Sequence, residues 1–160
     1  MLRSLTLTLA ALTLLTGCYS FSGSTLPPHL RTLRIHPIEN RTLEAALPDR
    51  IYLGLQDGFR SRSSLRSVNG NADAELYATL VQYSHQPLTT SGSNVTQWRV
   101  DILLRAVFID RVKGDTLYAD DRIPGYAAYS PDLGETEETG RARAIESVVK
   151  VVLDNTVLAW

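Results

Sequence analysis

The chain has few of the residues on which protein chemistry often depends. It contains one cysteine in 160 residues, so no disulfide can form within it. Its three histidines, His29, His36 and His85, are scattered, with no second histidine at helical spacing and no neighbouring acid in a metal-ligand pattern. We therefore predict that the chain holds no metal and that the histidines are structural or lie at the surface.

An excess of one charge is also missing. The chain has 16 Lys and Arg residues and 17 Asp and Glu residues, which gives a formal net charge of −1. A chain so close to neutrality lacks the basic surface that general nucleic-acid binding requires. Only the run from Leu5 to Leu15 is strongly apolar, and it is too short to span a bilayer.

Patterns typical of catalysis are equally scarce. Gly54 and Gly58 lie within a predicted helix, where close packing explains them better than a phosphate-binding loop. Asp120 and Asp121 are adjacent on a predicted strand, so their side chains point to opposite faces and cannot act as an acid–base pair unless the strand has a bulge there. We predict no catalytic residue and no enzymatic activity.

The amino-terminal sequence has the pattern of a bacterial lipoprotein signal. Arg3 supplies a basic start, the apolar run follows, and Leu15-Thr16-Gly17-Cys18 forms a lipobox. The pattern predicts cleavage before Cys18, with diacylglycerol on its thiol and a fatty acid such as palmitate on its new amino terminus. These covalent groups are the only cofactors expected. An ordinary signal peptide or a buried apolar helix is the alternative.

The chain divides into three predicted parts: a signal peptide (1–17), a lipidated tether (18–30) and a single domain (31–160). The tether is rich in Ser, Gly and Pro and has no periodicity. Tyr19 follows the cysteine where Asp often marks retention in the inner membrane, so we expect delivery to the outer membrane.

The domain is predicted to be α+β, with a four-stranded mixed sheet and two helices packed on one face in the order β-α-β-β-β-α. The first strand should run parallel to a neighbour, because only the helix connects it to the others. Residues 110–115 should form a hairpin turn. The predicted strands cover 31–38, 74–81, 98–108 and 116–123, the last ending before Pro124-Gly125, and the helices cover 48–61 and about 135 onwards.

Several motifs together resemble those of the LptE family of lipopolysaccharide-assembly lipoproteins. They are the lipobox with the following Cys18-Tyr19-Ser20-Phe21-Ser22-Gly23-Ser24-Thr25-Leu26-Pro27-Pro28-His29, then Thr32-Leu33-Arg34-Ile35, Glu39-Asn40-Arg41-Thr42 and Asn71-Ala72-Asp73-Ala74-Glu75-Leu76. The resemblance implies a non-enzymatic partner of an LptD-like outer-membrane β-barrel that inserts lipopolysaccharide into the outer leaflet. It also implies a plug in the barrel lumen that aids barrel assembly and binds lipopolysaccharide.

Lipopolysaccharide is anionic, so basic side chains near sheet edges and turns are candidate contacts. The available set is Arg99, Arg105, Arg111, Lys113 and Arg122. Arg99 and Arg105 share the strand face opposite Trp98 and Phe108, and a solvated or lumen-facing strand surface is the alternative explanation for these charges. Tyr126 and Tyr129 are candidate partner contacts, although both could instead pack on the sheet.

A second hypothesis is a lipid-anchored regulator or scaffold of an envelope complex such as a cell-wall synthase. Such a regulator would need a long tether to reach across the periplasm. The segment from Tyr19 to Leu30 is short, which favours a partner in or beside the membrane.

Overall fold

Two helices cover one face of a mixed sheet in the computed structural model of the protein, which describes residues 26–157. The strands are β1 (Thr32–Ile35), β2 (Glu39–Asn40), β3 (Arg66–Ser67), β4 (Ala74–Ser91), β5 (Asn94–Asp110) and β6 (Asp115–Tyr129). The helices are α1 (Leu47–Arg62) and α2 (Glu137–Val157), and a 3₁₀ turn at Pro131–Leu133 precedes α2.

The predicted α+β class, with two helices and a mixed sheet, is confirmed, but the predicted strand number and order are wrong. The sheet has six strands in the order β3-β1-β4-β5-β6, with β2 beside β4. The element order is therefore β-β-α-β-β-β-β-α. The two additional strands, β2 and β3, have two residues each, too few to show a periodicity in the sequence. The expected parallel pairing of β1 with a neighbour is confirmed, because β1 runs parallel to both β3 and β4.

The last strand is longer than the sequence predicts. The Pro124-Gly125 pair was expected to end it, yet β6 continues to Tyr129. Since β6 lies at the edge of the sheet, the nitrogen of a proline there, which has no hydrogen to donate, can point away from the neighbouring strand. No hydrogen bond of the ladder is then lost. The β4–β5 hairpin is also longer than predicted, and Gly92 in its turn has a φ of 61°.

Both helices lie close to their predicted positions. α1 begins one residue before Pro48, which suits the first turn of a helix, and α2 begins at Glu137, two residues later than expected. Neither helix within residues 26–157 is both long enough and apolar enough to cross a membrane.

The core lies between the helices and the facing side of the sheet. Alternate residues of β5, including Ile102, Leu104 and Phe108, are buried against the helices. The ring of Phe59 on α1 stacks on Phe108 at 6.1 Å between centroids. Burying each such side chain contributes about 1.5–3 kcal/mol to stability.

Two glycines allow these layers to come together. A Cβ atom at Gly58 would lie 2.4 Å from Leu153 Cδ1, so α1 and α2 touch where α1 has no side chain. A Cβ atom at Gly125 would lie 2.4 Å from Val148 Cβ and 2.7 Å from the carbonyl oxygen of Ala144. The close-packing interpretation of Gly58 is thus confirmed, and Gly125 has the same role between β6 and α2.

The described part of the chain begins inside the predicted tether. Leu26 and Leu30 belong to the hydrophobic core, with 9% and 4% of their surface exposed. The packed part of the chain therefore starts before residue 31. The predicted signal peptide and Cys18 lie outside the described residues, so the cleavage site and the lipid attachment stay predictions.

We predict that Gly125→Ala lowers the free energy of unfolding by about 1–3 kcal/mol, because the new methyl group meets the backbone of α2. Gly70→Ala is the matched control, since a Cβ atom there has no neighbour within 4 Å. Urea unfolding of the detergent-solubilised protein measures both. Equal stability of the two variants would show that α2 does not lie this close to β6.

Candidate functional site

The side of the sheet that faces away from the helices forms a second surface, which we call the open face. Since neighbouring residues of a strand point to opposite sides, Arg99 and Arg105 lie here while Phe108 lies in the core. The open face is built by alternate residues of β4, β5 and β6, among them Tyr77, Thr79, Gln82, Ser84, Gln86, Asp101, Leu103, Val107, Ile109, Arg122, Pro124 and Tyr126.

Two shallow depressions mark this surface. The first, which we call the groove, has a volume of about 380 Å³ and crosses all three long strands. Its lining includes Gln82, Ser84 and Gln86 from β4, Arg99, Asp101 and Leu103 from β5, and Arg122, Pro124 and Tyr126 from β6. The second depression, of about 370 Å³, is lined by Glu39, Arg41, Tyr77, Thr79, Arg105, Val107 and Ile109.

The five basic residues singled out in the sequence do not form one cluster. Arg99 and Arg122 both line the groove, whereas Arg105 lies in the second depression. Arg111 and Lys113 belong to the β5–β6 turn, at the end of the sheet. Any single bound anion would therefore contact only part of the set.

Three of these cations are paired with carboxylates. Arg99 lies 2.7 Å from Asp101. Arg105 lies 2.8 Å from Asp121, and Arg111 lies 3.6 Å from Glu75. Within residues 26–157, the side chains of Lys113 and Arg122 make no ion pair, which leaves these two cations available to a partner.

The two tyrosines point to opposite sides of β6. The Tyr126 side of β6 belongs to the open face: Tyr126 is 58% exposed, and Arg99 Cζ lies 4.6 Å from the centroid of its ring. Tyr129 is 6% exposed, and its hydroxyl bonds to Nε2 of His85 at 2.9 Å. Tyr126 is thus exposed on the open face, whereas Tyr129 packs within the fold.

A polar network that the sequence did not reveal ties α2 to β4. The Tyr83 hydroxyl donates to Glu137 Oε1 at 2.8 Å, and Arg141 reaches both Glu137 and Glu44. Burial, together with the bond to Glu137, raises the pKa of Tyr83 to about 12. A one-residue shift in the pairing register after Leu80 changes which side of the sheet the following residues of β4 face, and sequence alternation alone cannot show it.

Each histidine has its own protein partner. His29 Nε2 lies 2.5 Å from Asp110 Oδ2, and the ring of His36 stacks on Tyr77 at 4.0 Å. His85 bonds to Tyr129 as described above. In the part of the chain that the structure describes, no three His, Cys, Asp or Glu residues come close enough to hold a metal ion.

The family-like motifs contain residues that shape the fold. Asp73 Oδ2 accepts bonds from the N–H groups of Arg31 and Thr32 and from the Thr32 hydroxyl, each at 2.9 Å. These bonds, led by that from Arg31, lower the pKa of Asp73. Asn40 Oδ1 accepts the N–H and hydroxyl of Thr42, also at 2.9 Å. The motif that contains Asp73 therefore fastens β1 to the start of β4, and the motif that contains Asn40 and Thr42 closes the turn after β2.

Glu75 connects several groups of the open face near its β1 side. The Tyr77 hydroxyl donates to Glu75 Oε2 at 2.7 Å, while Arg111 and His36 each lie 3.6 Å away. The bond from Tyr77 is the main cause of the lowered pKa of Glu75, and the two neighbouring bases add to it against the effect of burial.

The fold and this surface define an α+β domain with one helix-covered face and one open, polar face. The model of the LptE family, described as lipopolysaccharide-assembly, matches residues 30–155. The chain therefore belongs to the LptE family. No curated protein sequence matches it.

Solved structures share the fold. Uncharacterized lipoprotein B of Nitrosomonas europaea has 14% identity and a TM-score of 0.55, with 78% of this chain and 80% of that chain covered. A hypothetical protein of Chlamydia trachomatis has 10% identity and a TM-score of 0.53, covering 79% and 98%. The PelC dodecamer of Paraburkholderia phytofirmans has 13% identity and a TM-score of 0.52, covering 78% and 86%. At these identities the likeness concerns the fold alone.

The lowered pKa of Glu75 predicts a pH-dependent contribution to stability. A carboxyl group whose pKa is lowered in the folded state stabilises the fold at pH values above its ordinary pKa of 4.5. This contribution is lost as the pH falls through the folded-state pKa. Glu75→Gln should therefore unfold more easily at pH 7, by about 1–2 kcal/mol, and its difference from the parent protein should be smaller at pH 3.

Urea unfolding at the two pH values measures this difference. Glu146→Gln, on an exposed position of α2, is the control and should change stability little at either pH. A Glu75→Gln effect that is equal at both pH values would contradict an ionised, bonded Glu75.

Proposed function

We propose that this chain is a non-enzymatic outer-membrane lipoprotein that binds and plugs the β-barrel translocon inserting lipopolysaccharide into the outer leaflet. The partner would be an LptD-like barrel, whose assembly the lipoprotein aids. The observation that carries the proposal is the match to the lipopolysaccharide-assembly family over residues 30–155.

The chemistry of the open face suits a polar lumen. The interior of a membrane barrel is polar, so a plug must offer hydrogen bonds and charges of both signs. The open face does so through the Arg99–Asp101 and Arg105–Asp121 pairs. Tyr126 adds an exposed aromatic side chain, the type that most often dominates binding at protein interfaces.

Direct contact with lipopolysaccharide forms part of the proposal. Lys113 at the β5–β6 turn would bind its phosphates most readily, because its side chain does not have to leave an ion pair first. Arg122 in the groove has no ion pair either and could donate hydrogen bonds to the sugar portion of the same ligand. Arg99, Arg105 and Arg111 could contribute only by sharing or exchanging their carboxylate partners. We therefore rank Lys113 first for phosphate contact and Arg122 first for contact with the sugar portion.

The buried start of the domain favours this function over the regulator of a cell-wall synthase. Leu26 is packed in the core, and only residues 19–25 separate it from Cys18. This link can extend at most about 28 Å. A domain anchored through Cys18 would thus stay near the membrane, where a barrel partner lies, instead of reaching across the periplasm.

Affinity purification of the tagged, detergent-extracted protein from its host tests the proposed partner. We expect a large outer-membrane barrel in near-equal amount by mass spectrometry. Recovery of a cell-wall synthase without a barrel would favour the second hypothesis and contradict the plug.

A pair of double variants makes this test specific to the open face. Tyr126→Ala with Arg105→Glu should reduce barrel recovery about tenfold, the loss expected when about 1.4 kcal/mol of binding energy is removed. Leu53→Ala with Arg60→Glu is the matched control on α1, since Leu53 and Tyr126 are similarly exposed, at 57% and 58%. Equal loss from both double variants would contradict a barrel contact specific to the open face.

The anchor is tested by feeding cells a clickable palmitate analogue. The parent protein should be labelled and should remain with the membranes, because several acyl chains together give stable anchoring. Cys18→Ser should lose the label and the membrane association. Undiminished labelling of Cys18→Ser would contradict lipid attachment at this residue, which is the only cysteine of the chain.

A further inference from the structure

The groove on the open face has the dimensions of a small-molecule site. Its volume of about 380 Å³ lies within the range of about 300–1,000 Å³ that ligand pockets occupy. The three long strands supply its walls at fixed spacing, so its polar groups sit on a rigid support. It can hold a fragment about one or two sugar rings in size.

Two of the three charged side chains that line the groove, Arg99 and Asp101, neutralise each other, and Arg122 is the third. Nε and Nη2 of Arg99 both lie 2.7 Å from Oδ1 of Asp101. A phosphate entering the groove would meet the Asp101 carboxylate beside the guanidinium, and such like-charge contacts are unfavourable. The pairing therefore selects against a strongly anionic ligand at this end of the groove.

Several polar groups of the groove, by contrast, can make further hydrogen bonds. Asp101 Oδ2 has only the distant Gln86 Nε2, at 3.5 Å, and within the described chain the side chains of Gln82 and Ser84 make no hydrogen bond. Gln and Ser both donate and accept, Asp101 accepts, and Arg122 donates. Hydroxyl groups, which also donate and accept, match this mixture.

An exposed aromatic ring stands at the same place. Tyr126 lines the groove with 58% of its surface exposed, and the guanidinium of Arg99 lies 4.6 Å from its ring centroid. That contact restrains the ring before any ligand arrives, which lowers the entropy lost on binding. Pro124 and Leu103 add apolar surface beside it, so the C–H side of a sugar ring would have an apolar partner.

We propose that the groove binds an uncharged saccharide segment, with Tyr126 stacking on a sugar ring and Asp101, Gln82, Ser84 and Arg122 bonding its hydroxyls. The choice of saccharide rests on the proposed function, because a protein with that function would meet the sugar portion of lipopolysaccharide. The phosphates of lipopolysaccharide would then bind outside the groove, where Lys113 lies at the β5–β6 turn.

Saturation-transfer difference NMR on the detergent-solubilised full chain tests this inference. The probe is the dephosphorylated core oligosaccharide of lipopolysaccharide. We expect transfer to its ring protons, with the signal reduced at least about fivefold in Tyr126→Ala and largely retained in Tyr126→Phe, which keeps the ring. Leu53→Ala, which removes a similarly exposed side chain on α1 outside the groove, should leave the signal unchanged.

Inorganic pyrophosphate as a competitor separates the two ligand chemistries. It should not displace the oligosaccharide at equal concentration. Displacement would assign the groove to phosphate, and absence of transfer, or equal transfer in Tyr126→Ala, would also overturn the inference. Thermal unfolding of each variant verifies that its fold is intact. The experiment requires no barrel, so its failure and that of the proposed plug are distinguishable.

Discussion

The close approach of α2 to the sheet and to α1 is the constraint on which the rest of the molecule depends. Gly125 and Gly58 remove the side chains that would hold these layers apart. The helices can then cover one face of the sheet and bury the apolar residues of every long strand there. Because alternate residues point the other way, the same packing leaves a second, polar set of side chains on the open face. Core and candidate binding surface are therefore two sides of the same strands.

The sequence revealed those features of the fold that depend on local periodicity. The alternation from Trp98 to Phe108 predicts β5 and its core face correctly, and the helical spacing predicts α1 and α2. The remaining features depend on tertiary position. Pro124 is compatible with a strand only because β6 lies at the sheet edge, and β2 and β3 exist only because β4 and β1 offer partners. No window of the sequence contains that information.

The same distinction applies to the candidate site. Arg99 and Asp101 are two residues apart on one strand, so their shared face follows from the sequence. That they form an ion pair depends on their side-chain conformations, which the sequence does not show. The pairing of Arg105 with Asp121 crosses two strands and depends on the register of β5 and β6. The three-residue spacing of Tyr126 and Tyr129 places them on opposite faces, which separates an exposed ring from a buried one. The geometry thus reduces a scattered set of residues to one groove and one turn.

Site-specific photo-crosslinking in the living host tests most directly the claim that the open face is the partner surface. A photoreactive amino acid would replace Val107 or Tyr126 on the open face, and Leu53 or Glu146 on the helix layer. The account predicts crosslinks to an outer-membrane barrel from the first two positions and much weaker ones from the last two. Barrel crosslinks confined to Leu53 and Glu146 would contradict it.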